Sequence, residues 1–70
     1  MSKLNKLLKA EGMSVEDLAR QGVMDSVCPG ICMNEGCDFT TNVEPDCTCG
    51  YCEVCDTRSV KSGLVLMGII

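Results

Sequence analysis

The chain has no histidine and no tryptophan, and only one Phe and one Tyr among its 70 residues. Without histidine there is no His general base, no Ser-His-Asp triad and no facial metal triad. So few rings exclude an aromatic core. Basic residues are missing locally. From Cys28 to Asp56 there is no Lys or Arg, against six carboxylates: Glu35, Asp38, Glu44, Asp46, Glu53 and Asp56. A surface of that sign repels phosphates and is a poor grip for a nucleic-acid backbone. Long apolar runs are missing as well. The longest, Leu64 to Met67, falls far short of the roughly 20 residues needed to span a bilayer. The start alternates Lys with Leu and lacks an apolar signal-peptide core, so a cytoplasmic protein is expected.

What the chain does have is cysteine. Seven occur between Cys28 and Cys55: Cys28, Cys32, Cys37, Cys47, Cys49, Cys52 and Cys55. A chain this short buries too little apolar surface to be comfortably stable and usually needs a staple. In a reducing compartment, clustered thiols read as metal ligands, and an odd count fits a pure disulfide framework badly. Zinc favours four N/S ligands in a tetrahedron, commonly delivered as two close pairs. Cys52-Glu-Val-Cys55 is the clearest pair, and Cys32-Met-Asn-Glu-Gly-Cys37 is a good opposite one. The predicted metal site is therefore Cys32, Cys37, Cys52 and Cys55, holding one structural Zn2+. Cys28 precedes the turn-like Pro29-Gly30 and is an alternative to Cys32. Cys28, Cys47 and Cys49 are read first as spare thiols. A shared-thiolate cluster using all seven leaves a second ion open. The spacings match neither ferredoxin run, which argues against an iron–sulfur cluster.

Along the chain, Ser2 to Glu11 reads as a helix with Leu4, Leu7 and Leu8 on one face and Lys3, Lys6 and Lys9 away from it. Gly12 can close it. Ser14 then reads as an N-cap, with Asp17 at the capping-box position. Val15, Leu18 and Ala19 supply the second apolar face, and Gly22 can stop that helix. A metal module follows from about Asp25. Phe39 to Val43 reads as a strand, Glu44-Pro45-Asp46 as a turn, and Thr48 to Tyr51 as the returning strand of a hairpin. For Ser59 to Ile70 the periodicity fits helix or strand; the expectation adopted is a helix covering the hairpin.

The segments Pro29-Gly-Ile-Cys-Met-Asn-Glu-Gly-Cys37, Val43-Glu-Pro-Asp46, Gly50-Tyr-Cys-Glu-Val-Cys55 and Val60-Lys-Ser-Gly-Leu-Val-Leu66 resemble a group of small, mostly uncharacterised, cysteine-rich proteins of bacteriophages and bacteria. The resemblance covers about Asp25 to Ile70, and more loosely the Gly12-Met-Ser-Val-Glu start of the second helix. In that group the thiols matching Cys32, Cys37, Cys52 and Cys55 are the recurrent ones. It implies a zinc-ribbon-like module and supplies no activity. The extra thiols of this chain depart from the group and keep a second site open.

These readings converge on a small metal-stabilised α+β fold: a zinc-ribbon-like β-hairpin, residues 25–70, with a helical N-terminal arm, residues 1–24. Four cysteines close a zinc shell, whereas catalytic zinc keeps an open position, so no enzyme is expected. The expected role is a protein–protein interaction or regulatory adaptor module, phage-encoded if the resemblance holds. The arm and the Leu64–Ile70 end are candidate contact surfaces, and a homo-oligomer is left open. One rival is nucleic-acid binding through Lys3, Lys6, Lys9, Arg20, Arg58 and Lys61. The other is metal storage or thiol redox sensing, which needs Cys28, Cys47 and Cys49 exposed and reactive. A helix-turn-helix at Gly12 to Ala19 is disfavoured, because Arg20 and Gln21 sit beside Glu16 and Asp17.

Overall fold

Helix α1 spans Lys3–Glu11 and begins where the Ser2 hydroxyl accepts a hydrogen bond from the Asn5 amide. It ends at Gly12, in the left-handed conformation, whose N–H reaches the Leu8 and Lys9 carbonyls. Helix α2 spans Val15–Met24. Its capping box is reciprocal. The Asp17 amide donates to Ser14 Oγ at 3.2 Å, and the Ser14 amide donates to Asp17 Oδ2 at 3.3 Å. These starts lie where the sequence set them. The computed structural model describes residues 2–24 and 26–68. Asp25, where the module boundary was set, and Ile69 and Ile70 at the end of the candidate C-terminal surface lie outside the described residues.

Four strands follow: β1 Cys28–Cys32, β2 Thr40–Val43, β3 Gly50–Cys52 and β4 Thr57–Ser62. They form one antiparallel sheet in the order β2-β1-β4-β3. A short helix α3, Gly63–Leu66, closes the described chain. Three expectations are corrected here. First, β2 and β3 are not partners in a hairpin; they are opposite edges of the sheet. β2 pairs back onto β1, with Cys28 opposite Val43 and Ile31 opposite Thr40. β3 pairs forward onto β4, with Cys52 opposite Thr57. Second, Cys28-Pro29-Gly30 is strand, not turn. β4 ends at Ser62, opposite Gly30, so at Pro29 the sheet has a neighbour on one side only, a position where proline is tolerated. Third, the segment after Cys55 is mostly strand, with helix only from Gly63.

β1 is buried along its whole length and separates two apolar clusters. On the helical side Leu7, Leu18, Cys28, Ile31 and Leu64 pack together, with Leu4, Leu8 and Met13 half-buried against them. Burying a Leu or Ile side chain contributes about 1.5–3 kcal/mol, so this cluster fixes both N-terminal helices to the sheet. Of the occupants open to the Leu4–Leu7–Leu8 face, the chain's own module is one: Leu7 is fully buried against it, with Leu4 and Leu8 half-buried. Gly22, read as a helix stop, lies inside α2. A Cβ there would come 2.2 Å from Leu64 Cδ1, and a Cβ on Gly63 would come 2.4 Å from Leu18 Cδ2. The two glycines each receive a leucine from the facing helix and let α2 and α3 approach closely.

The second cluster is Cys32, Cys37, Cys52 and Val60, with Phe39, Val43 and Cys55 against it. The connection from β2 to β3 crosses to the far edge of the sheet and is held by Ser62, which is fully buried. The Ser62 amide donates to the Cys47 carbonyl at 3.0 Å, and its hydroxyl donates to the Pro45 carbonyl and accepts from the Val65 amide. One serine thus anchors the crossing and caps α3.

Candidate metal centre

Each of the two cysteine pairs sits at the turn of its own β-hairpin. Cys32 ends β1, and its amide donates to the Phe39 carbonyl at 2.9 Å, closing the first turn. Within that turn the Cys37 amide donates to the Asn34 carbonyl at 3.1 Å, and Gly36 takes a φ of 83°. This left-handed conformation is open to glycine at no steric cost and brings Cys37 back toward Cys32. Cys52 ends β3. The Cys55 amide donates to Cys52 Sγ at 3.3 Å, and the Asp56 amide to the Cys52 carbonyl at 2.8 Å. Asp56 is the one described non-glycine residue with positive φ, at 55°. It holds the left-handed bend that leads out of the second turn, and its carboxylate accepts from the Tyr51 hydroxyl.

Pairing of β1 with β4 places the two turns side by side. The four Sγ atoms of Cys32, Cys37, Cys52 and Cys55 all lie within 4.8 Å of one another. Cys32 Sγ is 3.9 Å from Cys55 Sγ, and Cys37 Sγ is 3.7 Å from Cys52 Sγ. These separations are far beyond a disulfide bond of about 2.05 Å. They match the edge of a sulfur tetrahedron, which is about 3.8 Å for a metal–sulfur bond of about 2.3 Å. The four thiols that converge are the two sequence pairs named above, but each pair sits in its own hairpin turn rather than at the two ends of one intervening hairpin. Among the described residues this is the group of His, Cys, Asp or Glu side chains arranged to hold a metal ion.

Four thiols this close cannot all ionise without a cation, and the protons distribute unevenly. Burial disfavours the Cys32 thiolate, but hydrogen bonds from the Ser59 hydroxyl and the Asn34 amide, with help from Cys37 and Cys52, outweigh it and bring its pKa down to about 6. At Cys37 the Phe39 amide favours the thiolate. Hydrogen bonding with Cys55, burial, and contact with Cys32 and Cys52 outweigh that and push the pKa up to about 12. The cluster therefore begins one step toward the thiolate state a metal needs and keeps a proton a metal must displace.

The surrounding contacts come from distant parts of the chain. Ser59 Oγ lies 3.1 Å from Cys32 Sγ. The Asn34 amide group donates to Thr57 Oγ1 and Ser59 Oγ, tying the first turn to β4. The Lys3 ammonium, from α1, donates to the carbonyls of Asn34, at 2.8 Å, and of Cys37, and pairs with Asp38 at 3.3 Å. Lys6 Nζ lies 3.4 Å from the same Asp38 oxygen. Beside Lys3 and Lys6, the Asp38 carboxyl sits below its usual range. Sequence reasoning did not find Ser59, Asn34 or Lys3 as parts of the site. Serine and asparagine carry no spacing signal there, and a helical lysine at residue 3 reads as a solvated charge.

The remaining thiols do not join the cluster. Cys28 is fully buried in the helical core, at the opposite end of β1 from Cys32, which corrects its reading as an alternative ligand. Cys47 is half-buried, its Sγ directed at the Val60 carbonyl 3.9 Å away. Cys49 is exposed. No described helix is long and apolar enough to cross a membrane. No family model matches this chain, and neither a curated protein nor a solved structure is found similar to it.

Proposed function

We propose that the protein is a structural-zinc module of the zinc-ribbon type, bacterial or phage-encoded, that presents a surface to a protein partner in the cytoplasm. The observation that carries this reading is the set of four sulfurs within 4.8 Å, two from each of two hairpin turns. Four thiolates complete the shell of a single Zn2+ and leave no position for a reacting water. The ion's role is then to hold the fold, not to catalyse. The choice of protein over nucleic acid rests on charge. Lys3 and Lys6 are engaged by Asp38, and the stretch Cys28–Asp56 offers carboxylates without a base. Tyr51 and Val54, at the second turn, are more than half exposed. A ring and an aliphatic side chain beside a rigid metal turn are the kind of anchors protein interfaces use.

Two measurements test the reading. Native mass spectrometry of protein purified without added metal should show one zinc per chain; iron with sulfide, or two zinc ions, would replace it. Fluorescence anisotropy with single- and double-stranded probes at physiological salt should show only weak, salt-labile association. Submicromolar, sequence-dependent affinity that vanishes when Lys9, Arg20, Arg58 and Lys61 become Ala would put nucleic acid first.

A further inference from the structure

Lys3 occupies an unfavourable place for a lysine. It is the first residue of α1, and no acidic residue stands in that first turn. A cation there opposes the helix dipole. Its side chain is only 15 % exposed, and lysine is almost never buried unless paired. A residue that breaks two local rules is expected to gain something elsewhere. Its partners show what. Its ammonium bonds the carbonyl of Cys37, itself a metal ligand, the carbonyl of Asn34 two residues beyond Cys32, and the Asp38 carboxylate. A divalent ion with four thiolates carries a net charge of −2, and Asp38 adds to it. The cation that bonds this turn arrives from a helix that contributes no ligand.

The geometry points to Lys3 as the positioning residue of the metal centre, fixing the first turn for metal and docking α1 only when that turn is formed. Metal binding and helix docking are then linked, and the coupling must run both ways. Lys3 thereby connects the charged cluster to the leucine face of α1, which begins one residue later at Leu4. The inference rests on the four-thiolate reading above.

The experiment uses the full-length reduced protein and its variants Lys3→Met, Lys3→Arg and Lys9→Met. Affinity is read by Co2+ titration, followed through cobalt–thiolate absorbance, with displacement by Zn2+. Removing an outer contact to a metal ligand typically costs 10–100-fold in affinity, and that loss is expected for Lys3→Met. Lys3→Arg should restore most of it, and Lys9→Met, whose lysine makes no such contact, should match the wild type. Hydrogen exchange at saturating zinc supplies the second readout. The amides around Leu7 and Leu8 should exchange faster in Lys3→Met than in Lys9→Met, while the two turns stay equally protected. Lys3→Met binding as tightly as wild type, no rescue by arginine, or equal protection of α1 would overturn the inference. Wild-type protein that takes up neither Co2+ nor Zn2+ would overturn the zinc reading itself, and this one with it.

Discussion

The seven cysteines divide by environment. Cys32, Cys37 and Cys52 are buried with Cys55 half-buried beside them, and all four converge. Cys52→Ser should abolish the cooperative fold, because an incomplete shell forfeits most of the about 10–16 kcal/mol a structural zinc contributes. Cys47→Ser loses only a long thiol contact to the Val60 carbonyl and should leave the zinc-bound circular dichroism spectrum intact. Equal loss of structure in both would refute the four-ligand set. Asp56 gives a second test. An ordinary residue in the left-handed region costs about 1–2 kcal/mol, and since both variants lose the Tyr51 contact, Asp56→Ala should show a lower denaturation midpoint than Asp56→Gly. Which four thiols converge was legible because two close pairs carry a spacing signal. Lys3 and Ser59 were not, since each reaches the site through tertiary contact from 29 or 27 positions away from Cys32. Cys28 misled because Pro29-Gly30 carries a turn signal even where a central strand loses its second neighbour.

Between residues and fold, the elements most legible in the sequence were those fixed by local bonds. Ser2, Gly12, Ser14 and Asp17 satisfy helix ends within a few residues, and the helices start where those residues stand. Strand partners were not legible. A local reading pairs Phe39–Val43 with the next strand across Glu44-Pro45-Asp46, but here each hairpin turn is a cysteine pair and the Pro turn begins a crossing connection. What decides between the two is convergence of four sulfurs, a long-range condition. Gly22 makes the same point energetically. By helix propensity alone, Gly22→Ala would stabilise α2 by about 1 kcal/mol. The added methyl, however, meets the buried Leu64 at 2.2 Å, and overpacking typically costs about 1–3 kcal/mol. A lower thermal midpoint for the zinc-bound Gly22→Ala protein is therefore expected; a higher one would show that Leu64 moves aside freely.

For the molecule as a whole, a metal held by the four thiols would compete with protons for the same sulfurs, and the helices share a core with the strands that carry them. Chelation should accordingly unfold the helical signal together with the sheet. The two unlike thiols set the pH dependence. Cys32, lowered to about 6, adds stability to the metal-free fold above the ordinary thiol pKa and loses it as pH falls through about 6. Cys37, raised to about 12, acts oppositely: its contribution is present below the ordinary thiol pKa and is lost as pH rises through about 12. Asp38, held low by Lys3, loses its smaller contribution only in stronger acid. Zinc must displace the Cys37 proton at any accessible pH, but it displaces one from Cys32 only below about 6. Apparent affinity changes roughly tenfold per pH unit for each proton displaced. Zinc affinity should thus rise with pH throughout, and the plot of its logarithm against pH should be steeper below about 6 than above it. Competition with a chelator of known protonation behaviour, run from pH 5 to 8, measures that slope. A single unbroken slope across this range would show that Cys32 does not lose its proton within it, and that Ser59 and the Asn34 amide do not prepare it for metal.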